Sequence, residues 1–173
     1  MSESRIVLQT ERLLLRELVA EDLDFLADML ANPEVMRFYP QCLNRVEAQA
    51  WLERQFVRYR DFGHGFWLVA ERATGRPVGQ VGLLLQEVAD QPEYEIGYMI
   101  HRPYWRRGYA FEAAHAVRRQ AYEERGLTRI ISLVRPENIP SLAVASKLGA
   151  VIEREVLFKD LRHLVFVHPP GST

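Results

Sequence analysis

The strongest chemical signal in the chain is one short stretch, Tyr104-Trp105-Arg106-Arg107-Gly108-Tyr109-Ala110. It lies between a segment with strand alternation and one with helical periodicity. Gly108 can adopt backbone angles that bring amide groups close to a ligand. A helix beginning here turns free N–H groups and the positive end of its dipole outward, which favours an anion. Arg106 and Arg107 add charge, and Ala110 is small enough for a bulky anion to reach the first turn. The stretch reads either as a pyrophosphate cradle or as a solvated loop carrying two arginines.

The flanking elements must hold that stretch in place. Residues 12–18 are short and apolar-rich, a strand. Leu23, Leu26, Ala27 and Leu30 recur at helical spacing in 21–31, and Asn32-Pro33 ends that helix. Asn44 with Glu47 forms a capping box for a helix running to Phe62, where Gly63 stops it. Strands follow at 66–71 and 77–86, joined by a turn at 73–76. A turn at 90–92 leads into a third strand, 93–101. Its alternation places Tyr94, Ile96, Tyr98 and Ile100 on one face, and Glu95, Gly97, Met99 and His101 on the other. Ala110, Ala113, Ala114, Val117 and Ala121 then mark a helix to about residue 125, with Gly126 as its stop. Residues 129–134 form a buried-type strand, so strand, helix and strand in succession imply a parallel crossover. Pro140 suits the first turn of a short helix over 138–149. Residues 151–158 and 163–167 close the chain as a pair of strands. The class is α+β: an antiparallel meander, one βαβ unit and a terminal hairpin.

The chain has 173 residues, 48% of them apolar, with 22 basic and 23 acidic side chains and a formal charge of −1. That suits a single domain, 1–173, with a core at about 8–168 and a loose tail at 168–173. Near-neutral charge argues against nucleic-acid coating and polybasic membrane binding, which need a surplus of cations. No apolar run approaches the ~20 residues that span a bilayer, and the first five residues lack a signal-peptide pattern. One cysteine, Cys42, makes no internal disulfide, and the five histidines have no zinc-like spacing. A cytoplasmic protein without a metal is expected.

Trp105 to Ala110 resembles the acetyl-CoA loop of the GNAT superfamily of N-acetyltransferases, whose pattern is Gln/Arg-x-x-Gly-x-Gly/Ala. Trp105 departs from the pattern. Tryptophan there is a habit of the ribosomal-protein N-terminal acetyltransferase-like branch (RimJ/RimL-like). That branch is also matched by Thr10-Glu11-Arg12-Leu13, Asn32-Pro33-Glu34-Val35-Met36, Glu95-Ile96-Gly97-Tyr98, and Asn138-Ile139-Pro140-Ser141 with Lys147-Leu148-Gly149. The resemblance covers roughly residues 8–168, and the five pieces occur in the family's order and spacing.

The resemblance implies a mixed, mostly antiparallel sheet with helices on both faces, opened like a V between strands 93–101 and 129–134. Acetyl-CoA would lie in the opening as co-substrate. Its pyrophosphate would meet the amides of Arg106, Arg107, Gly108, Tyr109 and Ala110, and its pantetheine arm would pair with the backbone of Met99, Ile100 and His101. An amide near Met99 would stabilise the oxyanion. Gly97 would mark a bulge or close approach, or else simple packing under a neighbour. Asn138 would hydrogen-bond the pantetheine arm, besides capping its helix.

Many relatives carry a thiolate-protonating tyrosine seven residues after that Asn. Here the position is Ala145. Ser141 becomes the candidate donor to the sulfur, or a cap and pantetheine contact only. Glu95 would be the general base for the amine, directly or through a water, with Glu93 second. The alternative for Glu95 is a half-exposed strand charge paired with an arginine. Tyr98 or His101 could relay a proton. Cys42 could carry an acetyl group but is read as structural. Trp51, Phe56 and Tyr59 are read mostly as core. Residues 38–62 and the 158–163 turn would flank the acceptor.

The implied activity is direct acetyl transfer to a primary amine in a ternary complex. The acceptor would be a protein N-terminus, or alternatively a polyamine, amino acid or antibiotic amine. A non-catalytic acyl-CoA-binding domain is the reading from another class. An apolar terminal hairpin allows a homodimer.

Overall fold

Eight strands form one sheet in the computed structural model, which describes residues 3–171. The expectations for the first two residues of the start and the last two of the tail lie outside the described residues. In chain order the strands are β1 (Ile6–Gln9), β2 (Leu13–Glu17), β3 (Phe66–Glu71), β4 (Pro77–Val88), β5 (Gln91–Ile100), β6 (Ile131–Val134), β7 (Val151–Phe158) and β8 (Leu161–Val167). The helices are α1 (Leu23–Ala31), α2 (Arg45–Phe62), α3 (Tyr109–Glu123) and α4 (Ile139–Lys147). The order across the sheet is β1-β2-β3-β4-β5-β6-β8-β7. β5 and β6 are its parallel pair, and the other neighbours run antiparallel.

Alternation along β5 assigns its side chains to two cores. Ile96 and Ile100 join the cluster under α3, with Tyr94 and Tyr98 against it. Met99 joins the cluster under α1 and α2. Helices therefore cover both faces, and the class is α+β. The capping box is present: Asn44 Oδ1 accepts from the Glu47 amide at 2.9 Å, and Glu47 Oε2 accepts from the Asn44 amide at 2.8 Å.

The V opens because β5 and β6 share one register pair, Glu95 with Ile131. Beyond it the strands part. Ser132 Oγ donates to Ile96 O at 2.8 Å, and His168 Nε2 lies 2.8 Å from that hydroxyl. A side chain thus satisfies the carbonyl that loses its ladder partner at the apex, as a buried acceptor requires.

Several boundaries differ from the sequence reading. β1 is short and at an edge, and its four residues carry too little pattern to announce a strand. The β4–β5 turn falls at Ala89-Asp90, both with positive φ (49° and 63°), so β5 starts at Gln91 and includes Pro92. Pro92 is tolerated because it precedes the one residue of β5 that pairs with β6. β6 starts later than expected and β8 earlier. His168, assigned to a loose tail, is 1% exposed, and its amide donates to Ile130 O. Phe56, assigned to the core, is exposed.

Candidate active site

One cavity of about 890 Å³ runs along the V, from the start of α3 to the turn between β7 and β8. Its first end is made mainly of backbone. Gly108 caps α3 with φ +78°, and Arg106 also has a positive φ of 62°. These left-handed residues turn the chain so that the free amides of the first turn of α3 face the cavity. A Cβ at position 108 would meet only Arg12 Nη2, at 3.4 Å, so backbone angle rather than space demands glycine. Arg106, Gly108, Tyr109 and Ala110 line the cavity. Arg107 does not: its guanidinium turns to Glu71 at 3.6 Å and lies over the Tyr104 ring.

Arg12 fastens this loop. Its Nη1 donates to Arg107 O at 2.9 Å, its Nε donates to Glu112 Oε2 at 2.7 Å, and its guanidinium covers the Tyr109 ring. Thr10 Oγ1 donates to Glu112 at 2.6 Å. Burial pushes the Glu112 carboxyl up, but hydrogen bonds from Thr10 and Arg12 outweigh it and hold the group below its ordinary value. Trp105, the departure from the loop pattern, donates its indole N–H to Ile100 O at 2.7 Å. It ties the loop to the end of β5. None of these anchoring roles was assigned from sequence. The Thr10-Glu11-Arg12-Leu13 motif was the signal for Arg12, read there as family likeness alone.

The middle of the cavity is β5. Ile96 O and Ile100 O both accept from the β6 or loop side, whereas the His101 amide donates to Val78 O of β4's second residue. Backbone direction alternates along a strand. The amides of Tyr98 and Ile100 therefore face the opening, and those of Met99 and His101 face β4. Near Met99 the amides facing the opening are thus those of its two neighbours, and the Met99 amide itself is turned to β4. His101 is no cavity-lining residue. Its Nε2 lies 2.9 Å from Asp28 Oδ2, latching β5 to α1. The β4–β5 register runs unbroken through Gly97, so there is no bulge there. A Cβ at Gly97 would lie 2.9 Å from the Phe66 ring, which makes close packing the reason for the glycine.

Across the opening, Asn138 Oδ1 caps α4 by accepting from the Ser141 amide at 3.2 Å. Asn138 and Ser141 both line the cavity. Tyr98 donates its hydroxyl to Ser141 O at 3.0 Å, and burial pushes the phenol well above its ordinary value. Ala145 is fully buried against Val134 and Phe166 and offers no donor.

The far end is built of side chains. Glu95 is 9% exposed and lines the cavity. Gln86 Nε2 donates to its Oε2 at 3.0 Å. Burial raises the Glu95 carboxyl above the usual carboxylate range, and the pull of Gln86, Lys159, the Leu133 amide and Arg58 does not cancel it. Among the described residues no arginine salt bridge claims Glu95. Glu93 differs: Arg129 grips it with Nη2 at 2.9 Å, and it is absent from the cavity wall. The paired-charge reading belongs to Glu93, so Glu93 is no reserve base. Around Glu95 stand Phe38 and Tyr39 from the α1–α2 loop, Trp51 and Arg54 from α2, and Phe158 and Lys159 from the β7–β8 turn. Trp51, read as core, is a cavity wall stacked on Phe66. Tyr59 is structural, accepting from the Leu18 amide and donating to Phe66 O. Asn32 Oδ1 accepts from the Glu34 and Val35 amides and shapes the loop that carries Tyr39. Cys42 is exposed and outside the cavity wall.

Among the described residues, no group of three His, Cys, Asp or Glu side chains could hold a metal ion, and no helix is long and apolar enough to cross a membrane.

An anion cradle at a helix start, opening into a V between two parallel strands, is the arrangement of an acyl-CoA-dependent transferase. The family model described as "Acetyltransferase (GNAT) domain" matches residues 12–151. The chain is 33% identical over 143 residues to the protein YkkB of Bacillus subtilis (strain 168), spanning 82% of this chain and 83% of that one. The crystal structure of an acetyltransferase from Agrobacterium tumefaciens str. C58 is 29% identical and superposes with a TM-score of 0.82 over 98% of this chain and 95% of that one. RimL, a ribosomal alpha-N-protein acetyltransferase solved in complex with coenzyme A, shares the fold at 14% identity, with a TM-score of 0.76 over 95% of this chain and 96% of that one. The chain belongs to the GNAT acetyltransferase family and is an acetyltransferase. The family's reaction is acetyl transfer to amines, with acetyl-CoA as donor.

Proposed function

We propose that the chain transfers acetyl from acetyl-CoA to a primary amine by direct attack in a ternary complex, in the cytoplasm, with Glu95 as general base. The observation that carries this reading is the one cavity joining the α3 cradle to a buried carboxylate that, among the described residues, makes no salt bridge. The residues present fit the donor. The α3 amides at Gly108 to Ala110 and Arg106, which makes no salt bridge among the described residues, suit a diphosphate, and the outward amides of Tyr98 and Ile100 suit an extended arm and a developing oxyanion. Bound there, the donor supplies an activated acetyl group. The Asn138 side-chain NH2, left over from capping, reaches the same opening.

Glu95 accepts a proton from the amine, directly or through one water, as the nitrogen bonds to the acetyl carbon and the C–S bond breaks. A raised carboxyl is a better base near neutrality than an ordinary one. Ser141 donates a hydrogen bond to the departing sulfur, and the proton returns to the thiolate through Ser141 or solvent.

The test is acetyl-CoA-dependent thiol release across a panel of amines and N-terminal peptides. At least one amine should give steady turnover with an equivalent of N-acetyl product. Tight acetyl-CoA binding without turnover on any amine would favour a binding domain instead.

A further inference from the structure

The far end of the cavity carries two cationic side chains that, among the described residues, make no salt bridge, although the Glu95 carboxyl is within electrostatic reach of Lys159. Arg54 projects from α2 and Lys159 from the turn between β7 and β8, and both line the cavity. Among the described residues neither makes an ion pair, whereas Arg135, another cation of the cavity wall, pairs with Glu137 at 3.4 Å. The acid at the rim, Glu34, is taken by Arg102 at 2.9 Å. Aromatic platforms position both free cations: the Arg54 guanidinium lies 5.6 Å from the Trp51 ring centre, and Lys159 Nζ lies 5.3 Å from that of Phe158. The two are near enough to repel each other. Burial lowers the Lys159 pKa, Glu95 raises it, and Arg58 and Arg54 lower it further. His163, also in the wall, is held below its ordinary value by burial and adds no positive charge near neutrality.

Two like charges at one opening, neither held in a salt bridge among the described residues, repel each other in the empty site. A ligand anion relieves that repulsion. A polycation would increase it. The wall between them and Glu95 is aromatic and apolar, formed by Trp51, Phe66 and Phe158.

We infer that the acceptor is a small primary amine that also carries a carboxylate: its carboxylate meets Arg54 and Lys159, its apolar body lies on the aromatic wall, and its amine reaches toward Glu95. This rests on the acetyl-transfer reading above. The step is the same: the amine nitrogen bonds to the acetyl carbon, the C–S bond breaks, one amine proton goes to Glu95 and one proton ends on the thiolate. Polyamines and neutral peptide N-termini offer no matching anion.

The experiment compares kcat/KM for phenylalanine, phenylalanine amide, phenethylamine, spermidine and two tripeptides, one neutral and one with an acidic second residue. A charge-assisted contact at a partly wet rim is worth about ten- to a hundredfold. Phenylalanine should exceed its amide by about that factor, and spermidine should be the poorest acceptor. In Arg54→Gln and in Lys159→Gln the acid-to-amide ratio should fall toward one. Both positions are exposed, so both variants should fold, as circular dichroism would check. 3-Phenylpropanoate, which has no amine, should compete with the amine and not with acetyl-CoA. An acid-to-amide ratio near one in the wild type, or a preference for spermidine, would overturn the inference while leaving the transferase reading intact. A marked preference for the acidic tripeptide would also overturn it, in favour of a peptide acceptor. No turnover with any amine would instead sink the reading on which it rests.

Discussion

The two ends of the cavity are made of different material. At the α3 end the ligand-facing groups are amides, set by left-handed angles at Arg106 and Gly108 and by the helix start. Side chains there, such as Arg12 and Trp105, act one step back by hydrogen-bonding backbone carbonyls. At the far end the facing groups are the side chains of Glu95, Arg54 and Lys159, brought together from β5, α2 and the β7–β8 turn. On the proposed function, the backbone cradle meets the constant diphosphate and tolerates change in side chains, whereas the side-chain end, which substitution can re-cut, sets acceptor choice.

If that division holds, variants at the two ends should damage different kinetic constants. The largest effect should come from Glu95→Gln. Base catalysis is worth roughly 10²–10⁴-fold, so kcat should fall by about that range. Because burial raises the Glu95 carboxyl, the acid limb of the wild-type kcat profile should lie above the usual carboxylate range, rising as Glu95 loses its proton. That limb should vanish in Glu95→Gln, and the variant should regain part of its rate at higher pH. Turnover within twofold of wild type would exclude Glu95 and point to a water held by backbone groups.

The apex between the ends should show itself in acid stability. Burial, with a smaller push from Arg118, lowers the His168 pKa from 6.5 to about 4. The unfolded chain binds a proton that the folded chain refuses, so this contribution is complete above the ordinary value and lost as pH falls through the window. At 1.36 kcal/mol per unit, it amounts to about 3 kcal/mol. Chemical denaturation of wild type and His168→Gln across that window should differ in slope accordingly; parallel curves would place the ionisation elsewhere.

At the cradle, Gly108→Val forces a β-branched residue to a φ of +78°. Such strain costs of order 1–3 kcal/mol, so the KM for acetyl-CoA should rise by about ten- to a hundredfold or the loop should rearrange to the same effect. An unchanged KM with native circular dichroism would show that the diphosphate binds elsewhere. The smallest change should come from Arg12→Ala, which loosens the loop without touching ligand. Its exposed ion pair is worth little, and the loss of the bond to Arg107 O should raise the same KM by about tenfold or less.

Legibility in the sequence follows the same division. The cradle was readable because it is local: the strand end, the glycine and the helix start lie within ten consecutive residues, Ile100 to Tyr109, and the family likeness falls on them. The two-faced alternation of β5 was readable because its period is strict. Backbone direction was not, since the face of a side chain does not say which neighbour an amide pairs with; hence the amide of Met99 could not be told from those of Tyr98 and Ile100. Trp51 was read as core because helical spacing cannot distinguish a cavity wall from packed interior. Arg54 and Lys159 were not singled out, although the family likeness placed their segments, 38–62 and 158–163, beside the acceptor. They lie 105 positions apart, and only the sheet order that sets β8 and β7 beyond β6 brings the turn opposite α2. Glu93 and Glu95 share a face and a residue type, and only the arginine at 129 separates their roles.

The most direct measurement is a double-variant cycle in steady-state kinetics, using wild type, Gly108→Val, Glu95→Gln and both together. If a backbone cradle and a side-chain base occupy independent ends of one cavity, Gly108→Val should act on the acetyl-CoA KM and Glu95→Gln on kcat. The double variant should then lose kcat/KM by the product of the two, within about 0.5 kcal/mol. A double variant no worse than either single one, or a Glu95→Gln loss that appears wholly in the acetyl-CoA KM, would contradict it.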